Sequence, residues 1–447
     1  MYVKNQKFLI LGVSKSGLAA AKYLLGNGAV CYFYEEMSSE KIISAKQEIV
    51  SLGGTEIVAD KIDEILETID VLVISPGVPI NHTVAVKAKS KGVRIIGELE
   101  LGFAAFIPPF IAVTGTNGKT TTVSIIDAIF KEAGISKKLV GNVGVPVTSE
   151  IADENKDTVF IAEVSSFQLE SVSAFCPHIS CILNIAPDHL ERHYTMENYI
   201  FLKKRIFINQ RESEYCVLNF DDETVKGFYS DVKARVLWVS LLEEVDGAYK
   251  KDGALYYKGE RILSADELPI KGEHNEYNAL FSIAVARLMG ISAETVARAL
   301  KSFKGVPFRN QLVAEKNDVK FVNDSKSTNT ASAITAINSC VEPTVLILGG
   351  SEKGENYDKL FECIKNSTVK HVVMTGSSRR NMLISADKAG FYNITICPDF
   401  DLSVKIAAMM ANDGDRVLFS PACASFDAFS SYVERGERFN KIIGELN

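Results

Sequence analysis

Apolar runs of strand length, separated by stretches with helical spacing, recur along this chain in three successive series. The first opens with KFLILGV (7–13). GLAAAKYLLGNG (17–28) follows, apolar at the 3.6-residue period and stopped by Gly26 and Gly28. AVCYFYEE, VLVISPG (71–77) and VRIIG (93–97) add further strands. The second series opens at PPFIAVTGTNGKTTT, where FIAVTG reads as a buried strand and GKTTTVSIIDAIFKEAG as a helix closed by Gly134. TVFIAEVSS (158–166), ISCILNI (179–185) and YCVLNFDD (215–222) continue it. Residues 247–262 alternate like a hairpin, and EHNEYNALFSIAVARLMG and SAETVARALKSF form a helical pair. After KGVPFRNQ, the third series runs through VKFVNDS, TVLILGGS, HVVMTGS, ITICPD and RVLFSPA.

Strands of this kind alternating with helices predict parallel sheets covered by helices, an α/β protein. The pattern divides the chain into three domains, 1–98, 99–306 and 307–447. In such sheets ligands sit beyond the carboxyl ends of the strands, so the chemistry is sought there.

Composition narrows the field. The chain is 47% hydrophobic and 23% charged, an ordinary globular balance. A net charge of −7 argues against a general nucleic-acid binder but leaves anionic small molecules open. No apolar run of about 18 residues suggests a membrane span. MYVKNQKFLILGVSKSG has no small-residue cleavage site and reads as a first strand, so the protein is expected to be cytoplasmic. The eight cysteines show no C-x-x-C pair and read as buried reduced thiols.

The strongest chemical signal is the stretch Thr114 to Thr121 between a strand and a helix. Gly115 and Gly118 let backbone N–H groups turn toward an anion, and Thr116, Asn117 and Thr121 share that cradle. Lys119 is placed to reach the β- and γ-phosphates, and Thr120 to put a hydroxyl on Mg²⁺. Val113 stands where the general phosphate loop has its first glycine, so this is not the common motor or switch version. Glu163 ends a buried strand, where a carboxylate must pair, with Lys119 for instance, or bind metal; Mg²⁺ is the preferred reading. His189 and His193 are four apart but lack the His-Glu-x-x-His order of a zinc protease, and His193 reads as a surface helix residue. Lys203 and Lys204 are adjacent on a helix, a pattern that normally faces solvent. GVSKSG (12–17) is a broken glycine pattern, with Ser14 in place of the second glycine, which disfavours a dinucleotide oxidoreductase.

GTNGKTT resembles the ATP loop of the Mur ligase superfamily, amide-forming synthetases that include folylpolyglutamate synthetase. SSFQLE (165–170), NDSKSTN (323–329) and SPACASFDAFSSYVERGERF (420–439) extend the resemblance over nearly the whole chain, toward the members that add D-glutamate. It implies Rossmann-like first and third domains around a central P-loop ATPase-like domain. These would bind a UDP-sugar peptide, the amino acid and ATP respectively. The implied partners are UDP-N-acetylmuramoyl-L-alanine, D-glutamate and ATP, with two Mg²⁺ ions, or Mn²⁺ instead, acting on a monomer. A sibling or folylpolyglutamate synthetase-like ligase with another amino acid or acceptor is the alternative.

Carried over by position, the resemblance implies that Lys203 bears a CO₂-derived carbamate that ligates Mg²⁺ together with Thr120, Glu163 and His189, Lys204 being the runner-up. Asn275 and Asn278 are placed around the adenine and ribose, and Arg309 and Asp324 over ATP. Lys15 and Ser16 meet the UDP diphosphate, Glu35 or Glu36 the uridine, and Ser75, Pro76 and Gly77 line the same cleft. Met37 stands where the family often has a basic residue. Asn142 and His189 contact the muramoyl part or its reacting end. Lys326, Thr328, Lys353, Ser425, Phe426 and Tyr432 are assigned to D-glutamate. The reaction implied is activation of a carboxylate as an acyl phosphate, then attack by the amine.

Overall fold

The computed structural model describes residues 2–105, 109–151, 157–352 and 356–446. It contains three sheets and divides into two compact units, residues 1–304 and 305–447. The first sheet holds β1 (Lys7–Leu11), β2 (Val30–Tyr34), β3 (Thr55–Glu56), β4 (Val71–Ile74) and β5 (Arg94–Gly97) in the order β3-β2-β1-β4-β5, all parallel. The continuous apolar runs FLIL and VLVI are buried because helices cover both faces of such a sheet.

The second sheet has nine strands: β6 (Phe110–Thr114), β7 (Lys137–Gly141), β8 (Val159–Glu163), β9 (Ile179–Ile182), β10 (Tyr215–Asn219), β11 (Arg235–Ser240), β12 (Gly247–Lys251), β13 (Ala254–Tyr257) and β14 (Glu260–Ser264). Their order is β14-β13-β12-β11-β10-β9-β6-β8-β7, and only β12-β13 and β13-β14 are antiparallel. The hairpin read at residues 247–262 is thus part of a three-stranded meander, continued from β11. From β6 the chain runs out to the edge strand β7, returns to β8 on one side of β6 and then crosses to β9 on the other. That reversal opens a crevice at the carboxyl ends of β6, β8 and β9.

The 305–447 unit holds β15 (Gln311–Lys316), β16 (Val319–Asn323), β17 (Thr344–Leu348), β18 (Val369–Met374), β19 (Ile394–Ile396) and β20 (Arg416–Phe419), ordered β15-β16-β20-β17-β18-β19. Only the edge strand β15 is antiparallel. Among the described residues, no helix is long and apolar enough to cross a membrane.

Two acids of GELE fasten the first sheet to the second. Glu100 accepts backbone N–H bonds from Ser173, Ala174 and Phe175 at 2.9, 2.8 and 3.0 Å. Glu98 accepts from the N–H and the hydroxyl of Thr148 at 2.6 and 2.8 Å. Burial pushes the Glu98 carboxyl up from 4.5 to about 7, with the Thr148 bonds and the Lys15 charge opposing. A raised folded-state pKa means the group favours folding fully below 4.5, and that contribution is lost as pH rises through about 7. Wild-type protein should therefore lose thermal stability between pH 5 and 8 more steeply than Glu98→Gln. Parallel melting curves for the two across that range would remove Glu98 from the account.

Candidate active site

β6 ends in the phosphate-type loop. Gly115 and Gly118 have φ of 152° and 85°, and a Cβ on Gly118 would lie 2.4 Å from Oδ1 of Asn278, so the turn needs glycine there. The loop is braced from behind. The Thr116 N–H donates to the Asn184 carbonyl (3.0 Å) and the Asn117 N–H to Asn184 Oδ1 (2.8 Å). The Thr116 hydroxyl lies 3.1 Å from both the Ala186 carbonyl and the Tyr199 hydroxyl. The helix Lys119–Glu132 then starts, its first N–H groups facing the crevice. Lys119 donates to the carbonyls of Gly115 and Thr116, both at 2.8 Å, which holds its ammonium over its own loop.

Glu163, at the end of β8, is 2% exposed. Its Oε2 accepts from the Thr120 hydroxyl (2.7 Å) and its Oε1 from the Asn142 amide (2.7 Å). The Asn142 N–H also donates to the Glu163 carbonyl at 2.9 Å. Gly141 permits this approach, since a Cβ there would sit 2.4 Å from that carbonyl oxygen. A carboxylate and a hydroxyl thus meet as hard oxygens beside the loop, with the Asn142 amide N–H fixing the carboxylate. Among the described residues no group of three or more His, Cys, Asp and Glu forms a metal cage. A sparse protein set of this kind suits Mg²⁺, which takes one or two carboxylates plus substrate phosphates.

The adjacent lysines part company. Lys204 reaches out to Asp231 at the surface. Lys203, about 100° further round the helix Met196–Lys204, is 2% exposed. Its amine is held by a carbonyl and a hydroxyl, those of Gly115 (2.8 Å) and Thr114 (3.3 Å), and lies 4.9 Å from the Tyr199 ring centre. Burial, then the neighbouring Lys119 charge, holds its pKa well below the usual lysine value, against the pull of Asp188 and Glu163. A lysine shifted in that direction gives up its proton more readily than an ordinary exposed one.

His189 caps the short helix Leu190–His193 with φ 52°. It lies 3.5 Å from Asp188, its ring 4.8 Å from that of Phe167. His193 is not the surface residue that its polar sequence neighbours suggest: it is 1% exposed. Its Nε2 is 2.9 Å from the Ser166 hydroxyl and its Nδ1 3.5 Å from Glu170, because the tight four-residue helix turns its ring under Phe167 and Tyr199. Burial lowers its pKa.

On the first-sheet side, the Lys15 ammonium bonds the Gly144 carbonyl at 2.5 Å, with Ser16 beside it in the same helical turn. Other assigned residues face inward. Glu35 accepts the N–H groups of Val13 (2.9 Å) and Met37 (2.8 Å), and the Ser75 hydroxyl holds the Gly12 carbonyl (2.7 Å). Pro76 and Gly77 continue the loop that leaves β4. Asn278 is buried: it accepts from the Thr122 hydroxyl (3.1 Å) and donates to Asn275 (3.2 Å), packing the helix Glu273–Leu288 against the phosphate loop.

In the 305–447 unit, Asp324 is buried as well. Its oxygens accept from the Asn310 N–H (3.0 Å) and from the hydroxyls of Ser327 and Ser420, so it pins the bend that carries Arg309. Lys326 lies 5.8 Å from the Tyr432 ring, and Thr328 follows in the same bend. Ser425 is buried and Phe426 is 69% exposed. Lys353 lies outside the described residues. Sequence reasoning passed over Arg435, the hub of this end. Fully buried, it donates to the carbonyls of Ser325, Cys423 and Ala424 at 2.9–3.0 Å, and burial lowers its pKa to about 10. It also passed over Asn184 and Tyr199, which brace the phosphate loop; for Asn184 the signal was its place at the end of a buried strand.

Comparison with known proteins follows the same layout. Residues 6–97 match the model "Mur ligase MurD-like, N-terminal domain", residues 113–286 "Mur ligase middle domain" and residues 308–423 "Mur ligase, glutamate ligase domain". The chain is 41% identical to UDP-N-acetylmuramoylalanine–D-glutamate ligase of Thermoanaerobacter sp. (strain X514) over 455 aligned residues, covering 100% of both. It is 39% identical, over 451, to the protein of that name from Clostridioides difficile (strain 630), again covering 100% of both. The chain belongs to the Mur ligase family. Solved Mur ligase structures share the fold: UDP-N-acetylmuramate-alanine ligase MurC from Thermotoga maritima has a TM-score of 0.61 at 18% identity, covering 98% of this chain and 99% of its own. The phosphate loop, Glu163, His189 and Lys203 all fall in the part that matches the Mur ligase middle domain, whereas Ser425, Phe426 and Tyr432 lie beyond the matched glutamate ligase segment.

Proposed function

We propose that this protein is an ATP-dependent ligase that joins D-glutamate to the alanyl carboxylate of UDP-N-acetylmuramoyl-L-alanine, a step of peptidoglycan precursor synthesis. The observation that carries the chemistry is the meeting of three features at one crevice: the phosphate loop, the Thr120–Glu163 pair and the buried amine of Lys203. The substrates follow from the activity for which full-length relatives are named.

In this reading an oxygen of the alanyl carboxylate attacks the γ-phosphorus and the bond to ADP breaks, giving an acyl phosphate. Loop N–H groups and Lys119 hold the transferring phosphoryl group and offset its developing charge. Thr120, Glu163, His189 and a Lys203 carbamate would hold Mg²⁺, which supplies charge neutralisation on the phosphates. The D-glutamate nitrogen then attacks the acyl carbon, loses a proton, and phosphate leaves. Asn275, Asn278, Arg309 and Asp324 serve ATP in this scheme, directly or, for the inward-facing Asn278 and Asp324, by fixing the backbone around it. Lys15, Ser16, Glu35, Ser75, Pro76, Gly77 and Asn142 serve the UDP substrate in the same two senses. Lys326, Thr328, Lys353, Ser425, Phe426 and Tyr432 form the amino-acid site.

Phosphate release from ATP tests this reading. It should require UDP-N-acetylmuramoyl-L-alanine and D-glutamate together. L-Glutamate and other amino acids should support little. Turnover with ATP alone, or a preference for another amino acid, would replace the proposal by a nucleotide switch or by a sibling ligase.

A further inference from the structure

Two side chains that the proposed chemistry leaves unused meet at its edge: Glu170, closing SSFQLE, and Arg192, within HLERH. Ser165 and Gln168 form a capping box that starts the helix Ser166–Leu169, which sets Phe167 and Glu170 on their present bearings. Arg192 grips Glu170 with both sides of its fork, Nε to Oε1 at 3.0 Å and Nη2 to Oε2 at 2.6 Å. The same Nη2 donates to the Val78 carbonyl at 3.1 Å. Val78 directly follows Ser75, Pro76 and Gly77 on the loop that leaves the first sheet. The guanidinium also lies over the Phe167 ring at 4.2 Å, and that ring packs 4.8 Å from His189. The Arg192 and Glu170 side chains are only 14% and 8% exposed, so the fork is largely shielded from water and held in one geometry. Glu170 is anchored in turn by Arg205, which donates to its carbonyl at 2.7 Å.

One guanidinium therefore ties the first-sheet loop to the segment that carries His189. We propose that Arg192 is a positioning residue that sets the separation between the Ser75–Val78 loop and His189, and so aligns the two ends of one extended UDP-linked substrate. The inference rests on the substrate reading above. A ligand held in the UDP cleft that this loop lines, and at its reacting carboxylate by another segment, gains from the second contact only when the spacing is right. A misplacement of ~1 Å costs roughly 100-fold. Lysine cannot replace the fork, because a single ammonium cannot take a carboxylate in two-point contact and reach a carbonyl beyond it.

The test compares binding of UDP with binding of UDP-N-acetylmuramoyl-L-alanine by calorimetry, for wild type, Arg192→Ala and Arg192→Lys. UDP affinity should stay within about two-fold, while the extra affinity contributed by the muramoyl-alanyl part falls by about ten-fold or more, as expected when one of two linked contacts loses its spacing. KM for the UDP substrate should rise, and KM for ATP should hold. Equal weakening of UDP and of the whole substrate would reduce Arg192 to general structural support, and no change in either would overturn the proposal. Should Arg192→Ala fail to fold, Arg192→Lys carries the same comparison. Failure of the substrate reading itself shows separately, as wild-type protein that releases no phosphate with UDP-N-acetylmuramoyl-L-alanine and D-glutamate.

Discussion

Lys119→Ala is expected to abolish measurable ATP turnover while leaving the fold intact. A positive side chain on a transferring phosphoryl group is worth about 10³–10⁵ in rate, the range set by arginine fingers. In the structure the Lys119 ammonium is bonded to the carbonyls of Gly115 and Thr116, and the Gly115 carbonyl keeps the Lys203 amine as a donor when Lys119 is removed. The expected stability loss is therefore small beside the catalytic one. Steady-state phosphate release with both substrates, together with circular dichroism and a melting curve, checks this. A variant with wild-type turnover would remove the loop from the chemistry, and an unfolded one would leave Lys119→Met, which keeps the stem, to decide.

The second large effect belongs to Lys203. Lys203→Ala should lower turnover by about 10²–10³-fold, the scale for losing one preorganised electrostatic group. Short carboxylates such as acetate should restore part of the loss by entering the space the side chain leaves and supplying the missing oxygens. The sign of the pKa shift favours carbamate formation. A lysine whose pKa is held below the usual value gives up its proton more readily, and only the neutral amine adds to CO₂. Wild-type activity should accordingly fall in CO₂-depleted buffer and return with bicarbonate. Lys204→Ala, at the surface with Asp231, should stay near wild type. A fully active Lys203→Ala, or loss on mutating Lys204 instead, would refute the assignment.

How far the sequence could be read differs by element. The strands with continuous apolar runs stood out because burial on both faces leaves no polar positions to blur them. β7, β11 and β15 were passed over. β7 is only half-buried and begins KK, and β15 is an edge strand with exposed positions along its length. β7 joins its sheet through a partner distant in the chain, Glu163 for Gly141, which local periodicity does not encode, whereas β15 pairs the next strand across the two-residue turn Asn317–Asp318. The meander β12–β14 was half legible for the same reason: its turns are local, but its attachment to β11 is not.

By itself the sequence determined the chemistry available: a strand, two glycines, a lysine and a hydroxyl in fixed order can only build one kind of loop, because each part acts through its immediate neighbours. Family resemblance and full-length identity rest on that same linear order. What the tertiary structure decided was which way each side chain faces. It separated Lys203 from Lys204 by helix rotation, and turned His193 inward. It spent the polar atoms of Glu35, Ser75, Asn278 and Asp324 on holding backbone and neighbouring side chains in place. It also brought Arg192 to Val78, across 114 residues of chain. Burial and long-range contact are properties of the packed chain, and no window of sequence holds both partners at once.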